Sequence, residues 1–113
     1  MHELPVTQNL LEIAIRHAQN SNAKRIISLN IIIGQLATIV DDSVQFYWDL
    51  IAEDTIAKGA RLNFCRIPTE LWCQDCNCRY TPGPDDFACP ECLGINVKIV
   101  AGKEFYLDSI EIE

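Results

Sequence analysis

The spacing of apolar positions changes along the chain, and each change predicts an element. From Pro5 to about residue 20, Leu11, Ala14, Ile15 and Ala18 recur at helical spacing and make one apolar stripe, with Leu10 and Ile13 beside it as further core candidates. Pro5 suits a first helical turn, where its missing N–H would have had no partner. Residues 25–33, RIISLNIII, are rich in β-branched side chains and read as a strand. Ile27, Leu29, Ile31 and Ile33 share one face, Ile26, Ser28, Asn30 and Ile32 the other, and Gly34 ends the run. A second helix is expected to start at Asp41 or Asp42, either of which can cap it and favours the positive helix end. Val44, Tyr47, Trp48 and Ile51 form its stripe, which Phe46 and Leu50 widen, and these aromatics read as core. AEDTIAKGA breaks the helix, with Asp54 or Gly59 suited to a left-handed turn. Residues 60–67 alternate again: Leu62 and Phe64 face one way, Arg61, Asn63 and Cys65 the other, and Pro68 marks a boundary. In the tail, KEFYLDSIEIE, the apolar phase moves from Phe105 and Leu107 to Ile110 and Ile112, which predicts a bulge near Asp108 and Ser109.

These elements predict an α+β fold: a small mixed three-stranded sheet with two helices, plus a zinc-ribbon-like four-cysteine insert. The sheet-and-helix domain is expected from residues 1–67 with 101–113, and the insert from 68–100. A chain of 113 residues with 49% apolar and 22% charged side chains is globular in composition. No apolar run approaches the roughly 18–20 residues that span a bilayer. The first residues carry no basic flank, apolar core and small-residue cleavage site, so a reducing cytosolic setting is expected. The net charge of -7 works against unspecific binding to phosphate backbones.

The chain has six cysteines, at 65, 73, 76, 78, 89 and 92, and none before Cys65. Cys65 reads as a structural thiol at a strand position. WCQDCNC and ACPEC hold two C-x-x-C pairs, Cys73 with Cys76 and Cys89 with Cys92. Two residues between cysteines let one tight turn aim both sulfurs at one ion, and two such knuckles complete a tetrahedral S₄ shell that suits Zn²⁺. Four thiolates leave no position for water, which favours a structural site, and an insert this small has almost no core of its own without the metal. Iron would accept the same four sulfurs, and redox dithiols or disulfides are the other readings of the pairs. Asn77 follows the first knuckle and takes positive φ readily. Leu93 follows the second, with Gly94 one place later, which predicts a slightly different turn there. Cys78 is a fifth thiol nearby, either free or able to exchange with a ligand. The insert sets Glu70, Asp75, Asp85, Asp86 and Glu91 against Arg79 and Lys98 alone, a poor match for nucleic acid.

The first three residues, Met1, His2 and Glu3, are a second candidate site. An α-amine, backbone nitrogens and the His2 imidazole would chelate through fused small rings, and such nitrogen sets prefer the square-planar geometry of Ni²⁺ or Cu²⁺. Glu3 could add a carboxylate oxygen or orient the imidazole. The plain alternative is an ordinary surface histidine, which is also the reading of His17, the other histidine in the chain.

Together, MHELPVTQNLLEIA at the start, IIIGQLATIVDDSVQFYWDLIAEDTIAKGARL, the paired C-x-x-C insert and GKEFYLDSIEIE at the end closely resemble the HypA/HybF family of nickel metallochaperones of [NiFe]-hydrogenase maturation. The resemblance runs from Met1 to Glu113. It implies Ni²⁺ as cargo on Met1, His2 and Glu3, and structural Zn²⁺ on Cys73, Cys76, Cys89 and Cys92. It implies as partners a nickel-loading GTPase and the hydrogenase large subunit, with urease served in some members, and a carrier rather than an enzyme. Self-association is left open, and neither nucleic acid nor membrane is expected as a partner. Two departures stand out: Asp54 where members often carry Gly, and no histidine between residues 18 and 113 that could serve a relay near the zinc. The rival readings are a zinc-ribbon protein–protein adaptor in which MHE is incidental, and a thiol oxidoreductase using either cysteine pair.

Overall fold

The computed structural model describes residues 3–84 and 86–113. Helix α1 spans Glu3–Asn20, strand β1 Ile26–Gly34, helix α2 Asp41–Ile51 and strand β2 Arg61–Ile67. Three short strands follow, β3 at Glu70–Cys73, β4 at Arg79–Tyr80 and β5 at Val97–Ala101, and β6 closes the chain at Phe105–Ile112. The chain divides into two compact units, one of residues 1–32, 38–65 and 106–113, the other of 33–37 and 66–105.

In the first unit, α1 buries Glu3, Thr7, Leu10, Leu11, Ala14 and Ala18, one face at intervals of three and four. It ends in a Schellman turn. Ala23 N–H donates to Ala18 O, Asn22 N–H donates to Gln19 O, and Asn22 takes φ 56°. Against α1 packs α2, whose Val44 and Trp48 are fully buried. The expected aspartate cap is not found. Val40 occupies the N-cap with no side-chain cap bond, and Asp41 and Asp42 fall in the first turn, where their charge still suits the positive helix end. Phe46 and Leu50 do not widen the buried stripe either: each is 60% exposed.

The first sheet has the order β2-β1-β6. Asn63 lies beside Asn30, and Gln35 N–H donates to Ile67 O, so partner numbers rise together and β2 runs parallel to β1. Such a pair needs a crossover, which α2 supplies. On the other side Gly34 N–H donates to Glu104 O and Glu113 N–H to Arg25 O, so partner numbers run oppositely and β6 is antiparallel. The sheet is therefore mixed, as expected. Leu29, Ile31 and Ile33 are fully buried along the predicted face of β1, while Arg61, Asn63 and Cys65 are exposed together on β2. On β6 the apolar residues 105, 107, 110 and 112 are part-buried while Asp108 and Ser109 are both exposed, which is the predicted change of phase.

Trp48 is buried whole, and its indole Nε1 has no hydrogen-bond partner among the described residues. An unmade bond of this kind costs about 1–3 kcal/mol. Burying an indole of about 150–250 Å² at about 25 cal/mol per Å² stabilises by about 4–6 kcal/mol, so packing wins.

The second unit holds a second sheet, ordered β4-β3-β5 with both pairings antiparallel. Its strands are too short to show a period in the sequence. The segment 33–37 belongs to this unit and ties down both ends of the excursion. Leu36 N–H donates to Gly102 O, Gln35 N–H to Ile67 O, and Thr69 N–H to the Gln35 side chain. A Cβ on Gly34 would lie 2.1 Å from Gly102 O, inside van der Waals contact with immovable backbone. Gly34→Ala should therefore destabilise the protein by about 3 kcal/mol or more, the upper range for overpacking, read as a lowered urea midpoint.

Candidate metal centre

Four thiols meet in the second unit. The sulfurs of Cys73, Cys76, Cys89 and Cys92 all lie within 4.8 Å of one another. Cys73 Sγ is 3.6 Å from Cys92 Sγ, and Cys76 Sγ is 3.4 Å from Cys89 Sγ. A tetrahedral zinc with bonds of about 2.3 Å sets its sulfurs about 3.8 Å apart, so the cluster fits such an ion with small adjustment. Cys73 and Cys89 are buried and Cys76 and Cys92 exposed, so each knuckle gives one inner and one outer sulfur.

Backbone bonds build each knuckle. In the first, Cys73 N–H donates to Cys78 O, and Asn77 takes φ 60°. The Asn77 side chain also accepts the indole N–H of Trp72 at 2.7 Å, which fixes the turn to β3. In the second, Leu93 N–H donates to Cys89 O, Cys89 N–H donates to Gly94 O, and Leu93 takes φ 60°. The second turn was expected to differ for want of glycine after Cys92. It repeats the first, with a leucine holding the left-handed conformation at a cost of about 1–2 kcal/mol. Gly94 is needed for room, since a Cβ there would come 3.1 Å from Asp75 Oδ2 and 3.2 Å from Cys92 Sγ. Asp75 in turn accepts from Asn96 Nδ2 at 3.2 Å, joining the knuckles across the cluster.

The cluster sets its thiols apart electrostatically. Burial works against ionising Cys89, but backbone N–H groups of Cys92 and Glu91 and the neighbouring thiols outweigh it and bring the group down to about 7. Cys76 is pushed well up, first by its contact with Cys89, which holds the shared proton on the Cys76 side, and then by burial. Cys78 is pushed up by burial and by the negative charge of Cys89 and Glu91, and its sulfur contacts the Arg79 carbonyl instead of joining the four. Cys65, on β2, is an exposed free thiol outside the cluster.

At the other candidate site, Met1 and His2 lie outside the described residues. Glu3 is described and sits on the buried face of α1. Its Oε2 accepts the N–H of Val40 at 3.4 Å, and its carbonyl accepts the Thr7 hydroxyl at 2.6 Å. Sequence reasoning missed this link to the start of α2. The signal available was Thr7, which continues the apolar stripe back to Glu3. His17 is exposed, as expected.

Residues 1–112 match the family model described as hydrogenase/urease nickel incorporation, metallochaperone, HypA. The chain is 41% identical over 113 residues to a hydrogenase maturation factor HypA of Dehalococcoides mccartyi, covering all of this chain and 95% of that one. It is 31% identical to hydrogenase maturation factor HybF of Escherichia coli O157:H7, covering all of both. Among solved structures, a HypA solution structure superposes with TM-score 0.76 at 28% identity, covering 100% of this chain and 97% of that one. The solution structure of the Ni metallochaperone HypA from Helicobacter pylori superposes with TM-score 0.68 at 26% identity, covering 99% and 97%.

Metal ligands must be deprotonated, and Cys89 is brought down to about 7 while Cys76 is held well up. Zinc uptake by metal-free protein should therefore weaken as pH falls, because Cys76 must give up its proton, and more steeply below about 7, where Cys89 also takes one up. The thiolate ultraviolet band of the metal-free protein should fade over the same interval, and Cys89→Ser should abolish that step.

Proposed function

The chain belongs to the HypA family of hydrogenase/urease nickel-incorporation metallochaperones, and from that membership we propose that it carries Ni²⁺ on Met1, His2 and Glu3 and hands it on for [NiFe]-hydrogenase maturation. The observation that carries this reading is the family match over residues 1–112, which includes both the Met-His-Glu start and the four-thiol cluster. In this reading Cys73, Cys76, Cys89 and Cys92 hold Zn²⁺, which takes no part in chemistry and gives the second unit the order its small core cannot.

Nickel is the cargo. Its donors are the α-amine, the His2 imidazole and backbone nitrogen, and the Glu3 carboxylate is already engaged with Val40 N–H. A site of few ligands releases its ion when a partner offers more. Affinity order favours Cu²⁺ over Ni²⁺ at such donors, so selectivity rests with the partners and with metal supply. The partners proposed are a nickel-loading GTPase and the hydrogenase large subunit, in the cytoplasm. The function is transfer and not catalysis. Among the described residues no helix is long and apolar enough to cross a membrane.

Calorimetric titration of zinc-loaded, untagged protein tests the proposal. One nickel should bind, and His2→Ala should weaken it by more than about tenfold, since even outer-shell partners are worth about 10–100-fold. One residue added ahead of Met1 should weaken it comparably. Protonated imidazole cannot ligate, so affinity should fall as pH drops through about 6.5. One tightly held zinc and no nickel would return the chain to the adaptor reading.

A further inference from the structure

The two knuckles adopt the same left-handed turn and solve it differently. The first uses Asn77, a residue tolerant of positive φ, whose side chain also bonds Trp72. The second uses Leu93, which no backbone argument favours there, and leaves its side chain 78% exposed. Two residues on, Ile95 is 84% exposed. An asparagine at 93 and a polar residue at 95 would serve the turn better and remove apolar surface from water. Local rules broken without gain to the fold mark sites kept for another purpose.

Leu93 also forms one wall of a cleft of about 280 Å³, with Tyr80, Pro82, Ala88 and Pro90 among its lining. These walls are held in place. The Tyr80 hydroxyl donates to the Phe87 carbonyl, and Ala88 N–H donates to Asp86 Oδ1 at 2.9 Å. The surroundings are acidic. From Tyr80 to Val97 the chain carries Asp85, Asp86 and Glu91 and neither Lys nor Arg. Asp75 approaches Gly94 from the first knuckle. A zinc ion on four thiolates leaves two further negative charges. Nearby Arg79 faces Glu70 at 3.8 Å.

We propose that the tip of the second knuckle, centred on Leu93 and Ile95, is a docking surface for a protein segment that offers an apolar side chain flanked by lysine or arginine. The apolar side chain enters the cleft beside Leu93 and covers Ile95, and its basic flanks meet Asp86, Glu91 and Asp75. The charge selects the occupant. A second copy of this chain would bring another -7 to an acidic tip, and an anionic lipid surface would be repelled likewise. The exposed pair Phe46 and Leu50 on α2 is a weaker candidate, because a helix accommodates them with no backbone penalty. The assignment stands whether or not nickel binds at the N-terminus.

The test uses zinc-loaded full-length protein labelled with ¹⁵N. The probe is a short synthetic peptide with Leu-Phe between lysines and arginines. A peptide of equal charge with serines for Leu-Phe is the control. Backbone shift changes should centre on residues 88–95, and affinity should fall with added salt. Leu93→Asn should keep its zinc and unfold at the same temperature or higher, because strain is relieved, yet bind at least about tenfold more weakly. Ile95→Thr lies outside the turn and should give the same loss, which keeps the test sound if Leu93→Asn loses zinc. Equal binding by the serine control, undiminished binding by both variants, or shifts centred on Phe46 and Leu50 would overturn the assignment. So would a concentration-dependent dimer abolished by Leu93→Asn, which would give the surface to a second copy.

Discussion

The close approach of Gly34 to Gly102 is the constraint on which the second unit depends. Two backbones meet there with no side chain between them, because a Cβ on Gly34 would occupy the space of the Gly102 carbonyl. That contact lets residues 34–36 accept and donate bonds with both the outgoing chain at Ile67 and Thr69 and the returning chain at Gly102 and Glu104. The long excursion between them is thus closed at its base by hydrogen bonds before any metal is considered. Closing a loop carries an entropic cost that grows slowly with length. With that cost met at the base, the four thiols have only to organise the two knuckles, each of which already carries its own backbone bonds.

Much of this was legible in the sequence, and what was not has physical causes. The stripe of α1, the buried face of β1, the exposed trio on β2 and the phase change in β6 all follow from periods of 3.6 and 2 over segments long enough to display them. Strands β3, β4 and β5 have four, two and five residues, so no period could announce them. The cap of α2 was misplaced because two aspartates in the first turn and one at the cap look alike in a sequence, and both favour the helix end by charge. Phe46 and Leu50 adjoin the apolar stripe of α2 in the sequence, but they stand at its margin, and hydrophobic residues are inside as a tendency only. The convergence of Cys73, Cys76, Cys89 and Cys92, and the exclusion of Cys65 and Cys78, were readable because the spacing itself encodes the knuckle.

The proposed sites for the two metals are built on opposite principles. The sulfur cluster has four donors and inward-facing cysteines on two bonded turns, a shell that has no reason to let go. The donors proposed for nickel are few and lie on a single segment, of which Glu3 is described, on the buried face of α1 with Thr7. A carrier needs both qualities, permanence in what shapes it and looseness in what it transports. Placing them at separate points of the chain lets each be tuned without compromising the other.

The chain has two tryptophans, and each unit holds one. Trp48 is fully buried in the first, its N–H without a partner among the described residues, while Trp72 is half-buried in the second and bonded to Asn77 beside the thiol cluster. An indole sealed from water emits at shorter wavelength than one in reach of it. The protein therefore carries its own pair of optical probes, one per unit. Emission colour can tell which half of the molecule a metal, a denaturant or a partner has disturbed, with no label attached.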